Sequence, residues 1–337
     1  MATALTNPAQ FKAIADAIRA KTGLTGTIKA SEFASKIAAI PTGVAKPKWV
    51  QTTLPTSTTW SSICYGNGKF VTVALNNSNV AAYSTDGVNW TQTTLPASAQ
   101  WQSVCYGMGK FVAVAYQSDI AAYSTDGINW TQSTLPGSRN WASVCYGGGK
   151  FVTVANRQLG AYSVDGINWT TMRLPISATS VCYGNGKFVA IAYDGSAVYS
   201  TDGIKWTHST LPTLPTSQTE NGAWWSSVCY GNGKFVAVVS KSDIAAYSTD
   251  GINWTQSTLP ASADWRSVCY GNGKFVAVLY TNNITAYSTD GINWAQSTHE
   301  FGWNDLRSVG YGNGKFVAVA GIDYISLCLK DSFDEWA

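Results

Sequence analysis

Charge is scarce in this chain. Of 337 residues, 12% are charged, and the formal net charge is +3. So small a balance makes no nucleic-acid surface, which needs clustered Lys and Arg. Seven lysines instead recur at one place in a repeated Gly-Lys-Phe, from Lys69 and Lys110 to Lys315. Histidine is scarcer, with only His208 and His299, too few for a metal cluster, so neither metal nor cofactor is expected. No stretch approaches the ~18–20 apolar residues that cross a bilayer. The opening MATALTNPAQFKAIADAIRA lacks the basic start and apolar run of a secretory signal. The expectation is a protein made in the cytoplasm, with no membrane or nucleic-acid partner.

Glycine and tryptophan, by contrast, are plentiful, at 31 and 15 residues. They belong to a repeat. Copies of SVCYGNGKFVAVA begin at Ser62, Ser103, Ser143, Ser180, Ser227, Ser267 and Ser308, with a period near forty. Each copy offers four short β segments, typified by SVCYG, KFVAVA, AAYS and WTQSTLP. The first two meet at Asn-Gly in five copies, the strongest short hairpin signal. Four strands at this period indicate one propeller blade per copy. The last copy lacks its fourth strand, whereas KWVQTTLP, from Lys48 to Pro55, stands alone at the front. A ring closed by that strand explains both and leaves no open sheet edge. The expected fold is mainly β: a seven-bladed propeller over 45–337, closed by an N-terminal strand and preceded by a two-helix module over 1–44. Six of the seven cysteines (Cys64, Cys105, Cys145, Cys182, Cys229, Cys269) share one repeat position. Equivalent positions in neighbouring repeats rarely come within the ~4.4–6.8 Å that a disulfide needs. Buried, inert thiols are expected.

The segment YSTDGINWTQSTLP occurs at Tyr123–Pro136 and again, unchanged, at Tyr247–Pro260. Its S-T-D-G-x-x-W resembles the Asp-box of sialidase-like and other BNR-repeat propellers, although here glycine directly follows aspartate and the span is one residue shorter. The resemblance implies that the box folds the hairpin between third and fourth strands, far from any ligand. Asp86, Asp126, Asp165, Asp202, Asp250 and Asp290 are then turn formers, and the tryptophan packs between blades.

Function is therefore sought where the copies differ. The connections between second and third strands vary freely and place Tyr116, Arg157, Tyr193, Asp194 and Tyr280 on one face. Between blades, LPISATS is short, and the next loop, LPTLPTSQTENGAWWSS, is the longest and adds Glu220, Asn221 and Trp224. A short loop beside a long one predicts a notch there. Tyrosine, tryptophan and amides with few charges suit sugars, whose C–H faces stack on rings; they equally suit a protein interface. The candidate ligand-binding set is Trp224, Tyr193, Asp194, Glu220, Asn221, Arg157, Tyr116 and Tyr280. Catalysis is not expected. Sialidases on this fold use an arginine clamp and a Tyr–Glu pair, and the five arginines beyond Arg19 stand in dissimilar contexts. A glycoside hydrolase using Glu220 or Asp194 with Glu300 is the enzymatic alternative.

Ahead of the repeats, NPAQFKAIADAIRAKTG and KASEFASKIAAI read as two helices, the first capped by Asn7 with Pro8 in its first turn. Two such helices bury too little to stand alone, so they pack in a homo-oligomer or on another protein. IADAIRAKTG…IKASEFASKIAAI resembles a short helical module near the start of phage tail and baseplate-associated proteins. That resemblance implies a virion protein joined to other virion proteins through residues 1–44. The expected function is a phage receptor-binding protein whose propeller binds a host cell-surface glycan. The alternative is a decoration or scaffold protein that binds another virion protein.

Overall fold

The structure, a computed structural model, describes residue 16 and residues 49–280, 282–299, 305–321 and 325–330. Asp16 is helical; the remainder of the expected two-helix module, with Glu300, lies outside the described residues. The chain divides into two compact units, one of Lys48–Lys330 and one of Met1–Pro47 with Asp331–Ala337.

Within Lys48–Lys330 the described chain is mainly β and follows the repeat. In the first copy, Trp60–Gly66 (β2, after the leading strand β1 at Trp49–Thr53) turns at Asn67-Gly68 into Lys69–Ala74 (β3). Both turn residues have positive φ, 45° and 74°, which is why Asn-Gly recurs there. Met108-Gly109 and Gly148-Gly149 adopt the same sign of φ. β3 pairs with Ser78–Ser84 (β4), and β4 with the first part of Thr91–Gly107 (β5). β5 does not stop there. Its second part pairs with Lys110–Ser124 (β6), and β6 pairs with Thr131–Gly147 (β7). Hydrogen bonding continues through Lys150–Ala155, Leu159–Ser163 and Thr170–Arg173 (β8 to β10), giving one nine-stranded sheet.

Three four-stranded sheets follow. They comprise Ala178–Gly184, Lys187–Ala192, Ser196–Ser200 and Thr207–Thr210 (β11 to β14); Trp224–Gly231, Lys234–Ser240, Ser242–Ser248 and Thr255–Ala263 (β15 to β18); and Trp265–Gly271, Lys274–Leu279, Ile284–Ser288 and Ala295–Thr298 (β19 to β22). A short helix, Thr216–Glu220 (α1), precedes β15. The last sheet joins Leu306–Gly312, Lys315–Ala320 and Ile325–Lys330 (β23 to β25) to β1, with Trp49 opposite Leu329 and Thr53 opposite Ile325.

Two cycles of contacts link one copy to the next and return to the start. The Ser62 hydroxyl accepts from the Val104 amide, and Ser103 from Val144. The relation continues through Ser143, Ser180, Ser227 and Ser267 to Ser308, which accepts from Ile63 in the first copy. Likewise each strand-ending glycine lies under the tyrosine of the next copy. A Cβ on Gly66 would sit 2.0 Å from Tyr106 Cγ, and one on Gly312 only 1.9 Å from Tyr65 Cγ. The core lies between sheets. Leu54, Trp60 and Phe70 of the first copy pack with Val317 and Val319 of the last.

The aspartate turns are self-contained. Ser84 Oγ donates to Asp86 Oδ1 and accepts from the Gly87 amide, while Asp86 Oδ1 accepts from the Val88 and Asn89 amides. Asn89 Nδ2 donates to the other oxygen. Asp126, Asp165, Asp250 and Asp290 repeat this, and Asp202 keeps the backbone bonds, its Oδ1 accepting from the Ile204 and Lys205 amides. Burial works to raise the Asp86 pKa, but these hydrogen bonds outweigh it and hold the carboxyl well below its usual range.

As whole residues, Cys328 is buried and the six repeat cysteines are half-buried. They sit on the first strand of each repeat, where two residues follow each fully buried one, as in β2. Their sulfurs are nonetheless desolvated. Burial pushes the thiol of Cys105 well above its ordinary pKa, and the neighbouring Cys64 and Cys145 add to the shift, so the nucleophilic thiolate is suppressed.

Candidate functional site

The site begins from a defect repeated in every copy. The ladder between the first two strands slips by one residue after the buried tryptophan: Trp60 pairs with Ala74, but Ser62 pairs with Val73. The same shift recurs at Trp101, Trp141, Ala178, Trp225, Trp265 and Leu306. Such a β-bulge carries one extra residue and re-aims its side chain. The residues held at the slip are Ser61, Gln102, Ala142, Thr179, Ser226, Arg266 and Arg307. All seven line a single cavity of about 490 Å³. A cavity touched by the same position of every copy lies at the ring's axis. A second tier, at the position following the KFVAVA segment of each copy, supplies Leu75, Tyr116, Asn156, Tyr193 and Tyr280, and Trp224 completes the wall.

One side of this cavity alternates rings and cations. Tyr193 meets Trp224 edge-on, with centroids 6.1 Å apart. Lys241 Nζ and the Arg266 guanidinium each lie 5.3 Å from the Trp224 ring. Arg266 also lies 5.1 Å from the Tyr280 ring and Arg307 5.9 Å from it. Cation–π contacts of this kind contribute roughly 0.5–2 kcal/mol each, more where water is excluded. Tyr193 is 55% exposed and Tyr280 36%, so both rings remain open to a ligand.

Buried carboxylates fix the two arginines. Arg266 Nη2 donates to Asp264 Oδ2 at 3.1 Å, and Asp264 is also bonded to the Ser240 hydroxyl. Arg307 donates from Nε and Nη2 to Asp305 Oδ2, both at 2.9 Å. This second pair presses against backbone, since a Cβ at Gly321 would lie 2.1 Å from Arg307 Nε. Glycine therefore occupies the position held by tyrosine in Tyr116, Tyr193 and Tyr280. Burial raises the Asp305 pKa; Arg307 and Arg266 oppose the shift and Asp264 adds to it. Burial likewise raises Tyr193, against the pull of Arg266.

The candidate residues read from the sequence divide into two groups. Trp224, Tyr193, Tyr116 and Tyr280 share the axial cavity. Asp194 lies in an adjoining groove of about 510 Å³, between the turn after β12 and the long loop through Leu214 and Thr219; no residue of the short loop LPISATS, beside which the notch was expected, lines it. Its Oδ1 accepts from the Ser196 amide. Arg157 lines a separate recess of about 350 Å³ with Arg139 and Asn140. Glu220 and Asn221 are exposed at the end of α1, where Asn221 Nδ2 donates to the Ser217 carbonyl; neither lines these cavities. The expectation that Arg266 and Arg307 stand in dissimilar contexts is wrong. They occupy one repeat position in adjacent copies, as DWRS and DLRS, and the wide variation of that position (Ser, Gln, Ala, Thr, Arg) in a strand that otherwise changes little was the available signal. The recurring tryptophans Trp60, Trp101, Trp141, Trp225 and Trp265 are core.

A family model described as "DUF6242 beta propeller domain" matches residues 102–227. Comparison with curated proteins gives no match. Among solved structures, virginiamycin B lyase from Staphylococcus aureus is similar, with a TM-score of 0.73 at 13% identity, covering 84% of this chain and 99% of that one. A streptogramin B lyase structure gives 0.72 at 12%, covering 84% and 97%. YCF48 bound to D1 peptide gives 0.63 at 16%, covering 86% and 98%. At these identities the likeness is one of fold, and the fold is a β-propeller.

Proposed function

We propose that this chain is a non-enzymatic glycan-binding propeller of seven blades, with the axial cavity as its binding site. The seven-blade reading rests on the two contact cycles, each of which closes after seven steps. The nine-stranded sheet is then three blades run together, because β5 and β7 each leave one blade and enter the next. The binding reading rests on one observation above all: Tyr193 and Tyr280 present exposed rings, beside the half-buried Trp224, around a polar cavity large enough for a short oligosaccharide. Rings stack on sugar C–H faces, while Gln102, Asn156, Thr179 and Ser226 offer hydroxyl and amide partners. Turnover is disfavoured because the carboxylates beside the cavity, Asp264 and Asp305, are bound to arginines. The wider reading, a phage receptor-binding protein attached to other virion proteins through residues 1–44, rests on the sequence resemblance of that segment. Several copies per particle would then raise weak single-site affinity by avidity.

The test is a binding screen of the full-length protein against bacterial cell walls and a glycan panel, beside Trp224→Ala and Tyr193→Ala. The expected result is saturable binding to one wall type, weakened by about 10-fold or more in the Trp224 variant and without release of sugar. Sugar release would refute the non-enzymatic reading. Binding that both variants retain in full would move the site away from the axial cavity.

A further inference from the structure

Resting on the glycan reading above, we infer that the axial cavity selects an anionic sugar, seating its phosphate or carboxylate oxygens between Arg266 and Arg307 while the sugar ring lies on Tyr280. The two guanidiniums come from the same bulge position in neighbouring copies and approach the same ring, at 5.1 and 5.9 Å. Like charges gathered on one tyrosine repel each other, and an oxyanion between them removes that repulsion. Their geometry is preset by Asp264 and Asp305, with Gly321 leaving room for the second pair.

Donor capacity is left over. A guanidinium carries five N–H donors, and among the described residues Arg266 gives one of them to Asp264. Its Nε is buried without a partner, so the donors left for a ligand are on the terminal nitrogens of a side chain that is 32% exposed. A neutral sugar hydroxyl fills such a donor weakly; an oxyanion fills it with a charge-assisted bond and matches the planar fork. Lys241, over Trp224, adds a third cation, so three cations face the two carboxylates Asp264 and Asp305. Asp194 lies in the adjoining groove and does not line the axial cavity.

The experiment titrates the full-length protein with dextran phosphate, polygalacturonate, neutral dextran and, as a non-sugar polyanion, poly-glutamate by calorimetry, at low and high salt. The variants are the pair Arg266→Gln with Arg307→Gln, the pair Arg266→Lys with Arg307→Lys, and Lys241→Gln. Thermal melts check that each is folded, and the lysine pair and Lys241→Gln keep the test open if the glutamine pair is not. The expected result is binding of a charged polymer that weakens with salt and falls about 10- to 100-fold in the glutamine pair. The lysine pair should fall less, and Lys241→Gln should be weaker than the parent. Preference between the phosphate and uronate polymers identifies the oxyanion. Dextran bound as well as either charged polymer, with the glutamine pair unaffected, overturns the anionic inference and leaves the glycan reading standing. Binding of poly-glutamate in place of all three sugars overturns both.

Discussion

Trp49 carries the clearest energetic test of ring closure. It opens β1 and pairs with Leu329 of β25, the last strand of the described chain. Its side chain is 2% exposed and packs with Val276, Phe316 and Leu327. Its indole Nε1 donates to the Thr285 hydroxyl at 3.0 Å. Thr285 belongs to the preceding sheet, so one side chain ties the N-terminal strand to two sheets at once. Truncating a buried Trp to Ala costs about 3–5 kcal/mol. The unfolding entropy of a unit of about 280 residues is roughly 0.6 kcal/mol/K at about 2.1 cal/mol/K per residue, so melting should fall by about 5–8 °C. Val50, the next residue along, is 41% exposed, and Val50→Ala should change stability by no more than about 0.5 kcal/mol. Calorimetric melts of both variants decide the matter. If Trp49→Ala melts within a degree or so of the parent, or if the two variants fall equally, β1 is not the strand that closes the ring.

Two further outcomes follow from the repeat contacts. Gly312→Ala would place a methyl 1.9 Å from the Tyr65 ring across the seam between last and first copies; denaturant titration should show a loss of about 1–3 kcal/mol or more. Acid should also weaken the fold through the aspartate turns. The folded pKa of Asp86, Asp126, Asp165, Asp202, Asp250 and Asp290 is depressed. Their contribution is thus complete above the unfolded value of about 3.9 and lost as pH falls below it towards the folded values. Melting temperature measured from pH 7 to pH 2 should stay level and then drop below about pH 4, less steeply in Asp86→Asn; an identical slope in that variant would remove the turns as the cause.

The repeat, its four segments and the Asn-Gly and Ser-x-Asp-Gly turns were legible in the sequence because each depends on local physics. Positive φ selects glycine and asparagine, and an aspartate that bonds its own turn needs no distant partner. Even the pairing of β1 with β25 could be read, since one copy lacks the segment that stands alone at the front. The axial cavity could not be read in the same way. Trp224 and the tyrosines stand out as departures from the repeat, but Glu220, Asn221 and Arg157 depart as plainly and lie elsewhere. What separates them is a one-residue slip in each ladder that turns seven variable side chains towards one axis. Asp264 and Arg266 are paired locally, two residues apart, but Arg307 comes to share a tyrosine with Arg266 from a neighbouring copy only when the ring is assembled. Sequence spacing determined the strands and turns. Closure of the ring decided which residues face one another, because those contacts run between copies about forty residues apart that no local rule connects.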